Sequence, residues 1–375
     1  MAKKSKVNLR PLIIKLAKKH GTPLFLISKS RLLEQVKKFM TCLPRVTPYY
    51  AAKANSHPYI LETFAKEGLS FDVASVSEID RILKLGVPPE RMIFANTIKR
   101  IEALKFAARN KVNLMTFDTE YELIKIAKYA PNARVVVRIK VPNVGSIVEL
   151  SIKFGAEPAD ALNLLIKAKQ LGLKPAGLSF HVGSQCLNIE NYLNALESAS
   201  IIFKDARLKQ LPLEILDIGG GFPIRHFERE KDLFSDMVPR IQKEIDRLFN
   251  SGVNVIAEPG RCLVGPAGVL VMSVIGKSIR SNKHWYYLDD GVYGSLSGIV
   301  YDHCIYEYKV YRHGYPQITT LAGPTCDGFD VISISENLPE LDFGDLVYVE
   351  NIGAYSWATT TNFNGIPPAE VVAIP

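Results

Sequence analysis

Lys53 closes the apolar and aromatic run Pro48-Tyr49-Tyr50-Ala51-Ala52 and is followed within two residues by the polar Asn55. A lysine placed where a buried strand ends is partly desolvated, which lowers its pKa and frees a neutral amine to attack carbonyl carbon. Lys53 is therefore a candidate Schiff-base lysine, although a strand-end lysine taken alone is more often a solvated one. Other reactive groups stand in or just after later apolar runs. Asp72 lies within Ser70 to Val73, Arg138 within Val135 to Ile139, and His181 follows Gly177 to Phe180. Gly219-Gly220-Gly221 starts just after Ile215 to Ile218, and Glu258-Pro259-Gly260-Arg261 after Val255 to Ala257.

Each type suggests a task. Successive glycines turn backbone N–H groups inward and form a concavity that binds phosphate. Arg261 adds a permanently charged, bidentate partner for the same anion. Glu258, three residues earlier, suits a cation such as a protonated pyridine nitrogen: at ~4 Å and an effective dielectric of ~20 the attraction is on the order of 4 kcal/mol before desolvation. Its plainer role is a salt bridge to Arg261. His181 is either a satisfied core histidine or a flat surface for a cofactor ring.

Those groups need a scaffold that brings strand ends together. Short β-branched or aromatic runs alternate with amphipathic stretches through two-thirds of the chain, the pattern of βα units on a parallel sheet. Eight strands are expected, near Pro48 to Ala52, Ser70 to Val73, Met92 to Phe94, Leu114 to Phe117, Val135 to Ile139, Gly177 to Phe180, Ile215 to Ile218 and Val255 to Ala257. Eight such units predict a (β/α)8 TIM-like barrel over residues 28–261, with its site at the carboxyl ends of the strands and phosphate after strands seven and eight. Beyond Cys262 strand-like runs dominate: Val269 to Ile275, Trp285 to Leu288, Gln317 to Leu321 and Asp345 to Glu350. With a strand near Pro23 to Ile27 they predict a β-sandwich or β-barrel domain from residues 1–27 and 262–375.

Composition narrows the class. With 375 residues, 47% hydrophobic and 22% charged, the chain has material for a large core and two domains. No apolar run approaches the ~20 residues of a membrane span, and the basic N-terminus lacks a cleavable leader's apolar stretch, so the expected location is cytoplasmic. Cys42, Cys186, Cys262, Cys304 and Cys326 are scattered without metal-ligand spacing, indicating neither a disulfide framework nor a metal site. A net charge of +8 comes from helix-like stretches such as Lys15 to Lys19 without aromatic interleaving, which argues for a solvated basic face rather than nucleic-acid binding.

Taken in order, the motifs PYYAAKAN around Lys53, FDVAS at Phe71 to Ser75, HVGSQC at His181 to Cys186, DIGGGFP at Asp217 to Pro223 and AEPGR at Ala257 to Arg261 are joined by YDH at Tyr301 to His303, GPTCDGFD at Gly323 to Asp330 and GAYS at Gly353 to Ser356. In this the chain resembles the fold-type III (alanine racemase-like) pyridoxal-phosphate enzymes, and most closely the ornithine decarboxylase branch of the basic amino-acid decarboxylases. The resemblance implies that Lys53 carries pyridoxal 5'-phosphate as a Schiff base, with Asp72 and Arg138 supporting its surroundings. It also implies His181 stacked on the ring, Glu258 paired with the pyridinium, and Ser184, Gly220, Gly221, Arg261 and Tyr355 on the phosphate. Cys326 would come from the neighbouring subunit of a homodimer with shared sites and handle the proton returned to Cα, while Lys153 and Asp330 match positions that pair across that interface.

The same resemblance places Asp302 and Asp327 on the substrate's terminal ammonium, with Tyr301 and Phe363 at the substrate site. An alanine racemase leaves GPTCDGFD and YDH unaccounted for. Diaminopimelate decarboxylases typically read Cys-Glu-Ser where this chain reads Cys326-Asp327-Gly328, and arginine-specific members depart around Asp302. The expected activity is thus conversion of L-ornithine to putrescine and carbon dioxide in polyamine synthesis, with lysine or dual selectivity as the alternative. A catalytically dead decoy for a regulatory protein is the non-enzyme alternative; it would have lost cofactor contacts that this chain keeps. The chain departs from the commoner family text at Ala52, Ala54 and Gln185, the last standing where glycine is usual.

Overall fold

The computed structural model describes residues 9–148 and 152–375. The chain divides into two compact units, one of residues 32–225 and 229–264, the other of residues 9–31, 226–228 and 265–375.

The first unit is a closed parallel barrel of β1 (Val46–Ala51), β2 (Ser70–Val73), β3 (Met92–Phe94), β4 (Leu114–Phe117), β5 (Arg134–Arg138), β6 (Lys174–Ser179), β7 (Ile215–Asp217) and β8 (Asn254–Ala257). Neighbours in the barrel are neighbours in sequence, and β8 closes on β1 with Val255 opposite Val46. These are the eight expected runs, with ends moved by a few residues. Tyr49, Ile93, Ala95, Leu114, Val136, Ala176, Ile215 and Ile256 form one buried cluster drawn from most of these strands. Between strands, amphipathic helices bury one stripe, as in Val76–Lys84, where Ile79 and Ile82 are buried and the Ser75 hydroxyl caps the start by accepting from the Glu78 N–H at 3.2 Å.

The second unit is an eight-stranded mixed sheet. Its long strand, Gly268–Arg280, pairs antiparallel with Leu24–Ser28, Leu346–Glu350 and Lys283–Leu288. Leu24–Ser28 also pairs in parallel with Glu370–Ile374, so segments far apart in sequence build this sheet. That last strand and Val331–Leu338 lie outside the strand-like runs of the sequence, whereas the helix Leu9–His20 extends the helix-like stretch Lys15 to Lys19, its Ile13 joining Leu24, Leu26, Val269, Val271, Tyr348 and Ile374 in the sheet's core. Lys18, Lys19 and His20 in its last turn complement the helix dipole.

Candidate active site

Lys53 sits on a single 3-10 turn, Ala52–Ala54, immediately after β1. The Tyr50 hydroxyl donates to the Asn55 carbonyl at 2.8 Å across this turn, and the Ala51 N–H donates to the Pro259 carbonyl at 3.1 Å, tying the end of β1 to the segment after β8. The Lys53 ammonium pairs with Asp72 on β2. The desolvation expected of this amine is incomplete: the lysine side chain is 44% exposed, whereas that of Asp72 is 1% exposed.

Around this pair stands a buried set of carboxyl groups. Asp217, fully buried at the end of β7, accepts from the Gly219 N–H at 2.8 Å, and burial pushes its carboxyl up to about 6. Glu258 follows β8 and lies beside it. Burial, then the neighbouring Asp217 and Asp72, hold Glu258 well above the usual carboxylate range, while Lys53 pulls the other way. Arg138, at the end of β5, faces Glu258, Asp118, Asp217 and Asp72, and burial lowers its pKa despite these acids. His181 is held well below its ordinary value by burial and by the cations Arg138 and Lys53. It is therefore a neutral imidazole whose Nδ1 accepts from the Gly183 N–H at 3.0 Å, which places its proton on Nε2.

The glycine loop packs against both of these residues. A Cβ on Gly220 would fall 2.7 Å from the Glu258 carbonyl oxygen and 3.0 Å from His181 Nε2, and Gly221, at φ +101°, would place one 2.3 Å from the Gly183 carbonyl. Glycine is thus sterically required where the chain passes between ring and strand end. Among the described residues no acceptor takes the N–H of Gly220 or Gly221, and Arg261 Nη2 donates to the Ser184 hydroxyl at 3.1 Å. Two open backbone donors with a guanidinium and a hydroxyl make an anion cradle, and the crowded carboxyl groups of Glu258 and Asp217 call for a cationic ring nitrogen. The residues therefore fit pyridoxal phosphate at both of its ends.

In the second unit, Cys326, Asp327 and Phe363 are brought together. The Cys326 N–H donates to Asn364 Oδ1 at 3.1 Å, and Cys326 itself is exposed. Asp327 accepts the hydroxyl of Tyr293, whose ring stacks on Phe363 with centroids 4.4 Å apart. Asp302 is buried beside Cys304, whose thiol donates to it at 3.4 Å, while Tyr301 just before it is exposed. Tyr355 has a left-handed backbone, φ +51°. Asp330 is engaged within its own chain: it accepts from the Val292 N–H at 2.9 Å and from the Thr325 N–H and hydroxyl at 3.0 and 2.7 Å. Lys153 lies over the Phe154 ring at 5.0 Å.

Three residues were not singled out from sequence. Tyr293 lies 34 residues from Asp327, with no local pattern linking them. Asp217 was visible only as the first letter of a glycine motif. Glu78 accepts from the Ala74 N–H at 2.6 Å and faces Asp72 and Lys53, with burial raising its carboxyl; in the sequence it reads as an ordinary residue of a helix's first turn.

Comparison with known proteins agrees with this geometry. The family profile described as "Pyridoxal-dependent decarboxylase, pyridoxal binding domain" matches residues 29–265. The lysine/ornithine decarboxylase of Selenomonas ruminantium is 42% identical over 93% of this chain and 89% of its own. Mouse ornithine decarboxylase is 40% identical over 89% of this chain and 76% of its own. Among solved structures, the lysine/ornithine decarboxylase of Vibrio vulnificus complexed with cadaverine superposes with a TM-score of 0.92 at 35% identity, covering 98% of this chain and 99% of that one.

Proposed function

The chain belongs to the pyridoxal-dependent decarboxylases that act on basic amino acids, and we propose that its preferred reaction is the conversion of L-ornithine to putrescine and carbon dioxide. The observation that carries the substrate class is the Asp327 carboxylate, held below its ordinary pKa by the Tyr293 hydroxyl and by the Phe329 N–H at 3.1 Å. It is an anion fixed in place for a distal ammonium, in the same loop as Cys326. Asp302 supplies the second carboxylate.

Pyridoxal phosphate, when bound, supplies an aromatic ring that takes up the electron pair left on Cα as carbon dioxide departs. The chain's own residues do the rest. Lys53 would hold the cofactor through its amine, with Asp72 steadying that nitrogen and Arg138 balancing the surrounding acids. Glu258, backed by Asp217, would keep a ring nitrogen protonated, and neutral His181 would offer a flat, uncharged surface to the ring. Ser184, Gly220, Gly221, Arg261 and Tyr355 would hold the phosphate. Tyr301 and Phe363 would line the substrate's path, and Cys326 would return a proton to Cα.

We further propose a homodimer in which Cys326 and Asp327 of one subunit complete the site of the other. Exposed Cys326, and Asp327 held by its own chain's Tyr293, support this reading. Lys153 would then meet Asp330 across the interface, with the Asp330 carboxylate already oriented by Val292 and Thr325.

Lysine is the second reading, because one relative acts by name on both amino acids and one related structure holds cadaverine. A single methylene discriminates by only ~1 to 3 kcal/mol in an apolar pocket. Equimolar ornithine and lysine offered together, with the amines separated, test the preference: putrescine in excess supports it, and cadaverine in excess overturns it.

A further inference from the structure

The segment Ser184–Tyr192 grips the glycine loop through four hydrogen bonds. Tyr192, buried in the helix Glu190–Leu208, donates its hydroxyl to the Gly220 carbonyl at 2.8 Å. The Cys186 N–H donates to the Gly221 carbonyl, also at 2.8 Å. The Gln185 side chain brackets Ile224: its Nε2 donates to the Ile224 carbonyl at 2.6 Å and its Oε1 accepts from the Ile224 N–H at 3.0 Å.

Peptide planarity turns these bonds into an orientation. In a trans peptide the carbonyl and the next residue's N–H point in opposite directions. The Gly220 carbonyl is drawn to Tyr192, so the Gly221 N–H faces away from that helix. The Gly219 carbonyl accepts from the Glu258 N–H at 2.8 Å, so the Gly220 N–H turns away from the end of β8. These are the two N–H groups that no acceptor takes among the described residues. Gln185 adopts φ +51°, a region that favours glycine, so a residue with a side chain is strained there and the Ile224 bracket offsets that strain. The Tyr192 ring stacks on Phe222 with centroids 5.4 Å apart, and Phe222 meets Phe39 edge-on, so the phenol has little freedom to swing away.

We propose that Tyr192 and Gln185 are positioning residues that hold the glycine loop in the form that receives the cofactor's phosphate. They touch neither cofactor nor substrate and act through the backbone of Gly220, Gly221 and Ile224. This rests on the reading that the loop, with Arg261, is the phosphate site.

The test titrates cofactor-free protein with pyridoxal 5'-phosphate and, separately, with pyridoxal, following absorbance. Tyr192→Phe, which removes one neutral hydrogen bond, and Gln185→Gly, which removes two but relieves the strained backbone, should each weaken pyridoxal phosphate about fivefold and leave pyridoxal binding unchanged. Gln185→Gly suits the local backbone and so keeps the test alive if Tyr192→Phe misfolds. Arg261→Gln serves as the reference for the phosphate site itself. If Arg261→Gln weakens pyridoxal phosphate while both positioning variants bind as wild type, the inference fails and the phosphate assignment stands. If Arg261→Gln binds as wild type, the phosphate assignment fails and takes the inference with it. Equal weakening of both ligands in the positioning variants would show general packing and also overturn the inference.

Discussion

The hydroxyl of Tyr293 donates to the carboxylate of Asp327 and, with the Phe329 N–H, orients the acid proposed to meet the substrate's distal ammonium. The phenol is pushed up to about 12 by that carboxylate, and its ring is held against Phe363 while its carbonyl accepts from the Thr361 N–H at 2.9 Å. Removing the acid should raise KM for ornithine by tenfold or more, since an ammonium would lose its charged partner. Tyr293→Phe should raise KM less, by a few fold, because the acid remains and keeps only the Phe329 N–H to orient it. Steady-state kinetics on both variants decide this, and unchanged KM and kcat in Asp327→Ala would remove the residue from the substrate site.

Lys53→Ala should abolish turnover together with the visible absorbance of bound cofactor, because no other amine stands beside Asp72 among the described residues. Activity assays and an absorption spectrum of the same preparation check this. Decarboxylation near the wild-type rate would sink the role given to Lys53.

Sites shared between subunits make a prediction that single variants do not. Mixing Lys53→Ala chains with Cys326→Ala chains should restore part of the activity, since a hybrid dimer would carry one site with both residues intact. Subunit exchange should be demonstrated independently, by mass or by label transfer. No recovery despite exchange would argue that each chain completes its own site.

Asp290 tests the electrostatics of the second unit. It is buried, accepts from the Gly291 and Ser295 N–H groups at 2.8 and 3.0 Å, and burial raises its carboxyl from 3.8 to about 6. A raised carboxyl favours folding below its unfolded pKa, and that contribution is lost as pH rises through the folded value. Relative to Asp290→Asn, the wild-type protein should therefore lose stability on the order of 3 kcal/mol between pH 4 and pH 7. Denaturant unfolding of both proteins at several pH values measures the difference, and a difference that does not change with pH would contradict the assignment.

The barrel was legible because each β-strand is a short apolar run bounded by polar or glycine-rich text, and because chemistry falls at strand ends in this architecture. Lys53, Asp72, Arg138, His181 and Glu258 could each be placed from that rule. What escaped depends on distance in sequence. Tyr293 reaches Asp327 only through the folded sheet unit, and Asp217 gains its meaning from Glu258, which follows the next strand. Of the helix Leu9–His20 only the basic stretch Lys15 to Lys19 was legible, and Glu370–Ile374 was not, because its worth as a strand depends on Leu24–Ser28. Gln185 reads in the sequence only as a departure from glycine, because the Ile224 backbone that its amide brackets lies 39 residues away.

The most direct measurement is carbon dioxide release from L-ornithine, L-lysine, L-arginine and meso-diaminopimelate, with pyridoxal phosphate added and the amine product identified. The highest kcat/KM is expected with ornithine, with putrescine as its product. A higher value with lysine or arginine would contradict the reading of the distal pocket while leaving the barrel chemistry in place, and no release from any of the four would contradict the account as a whole.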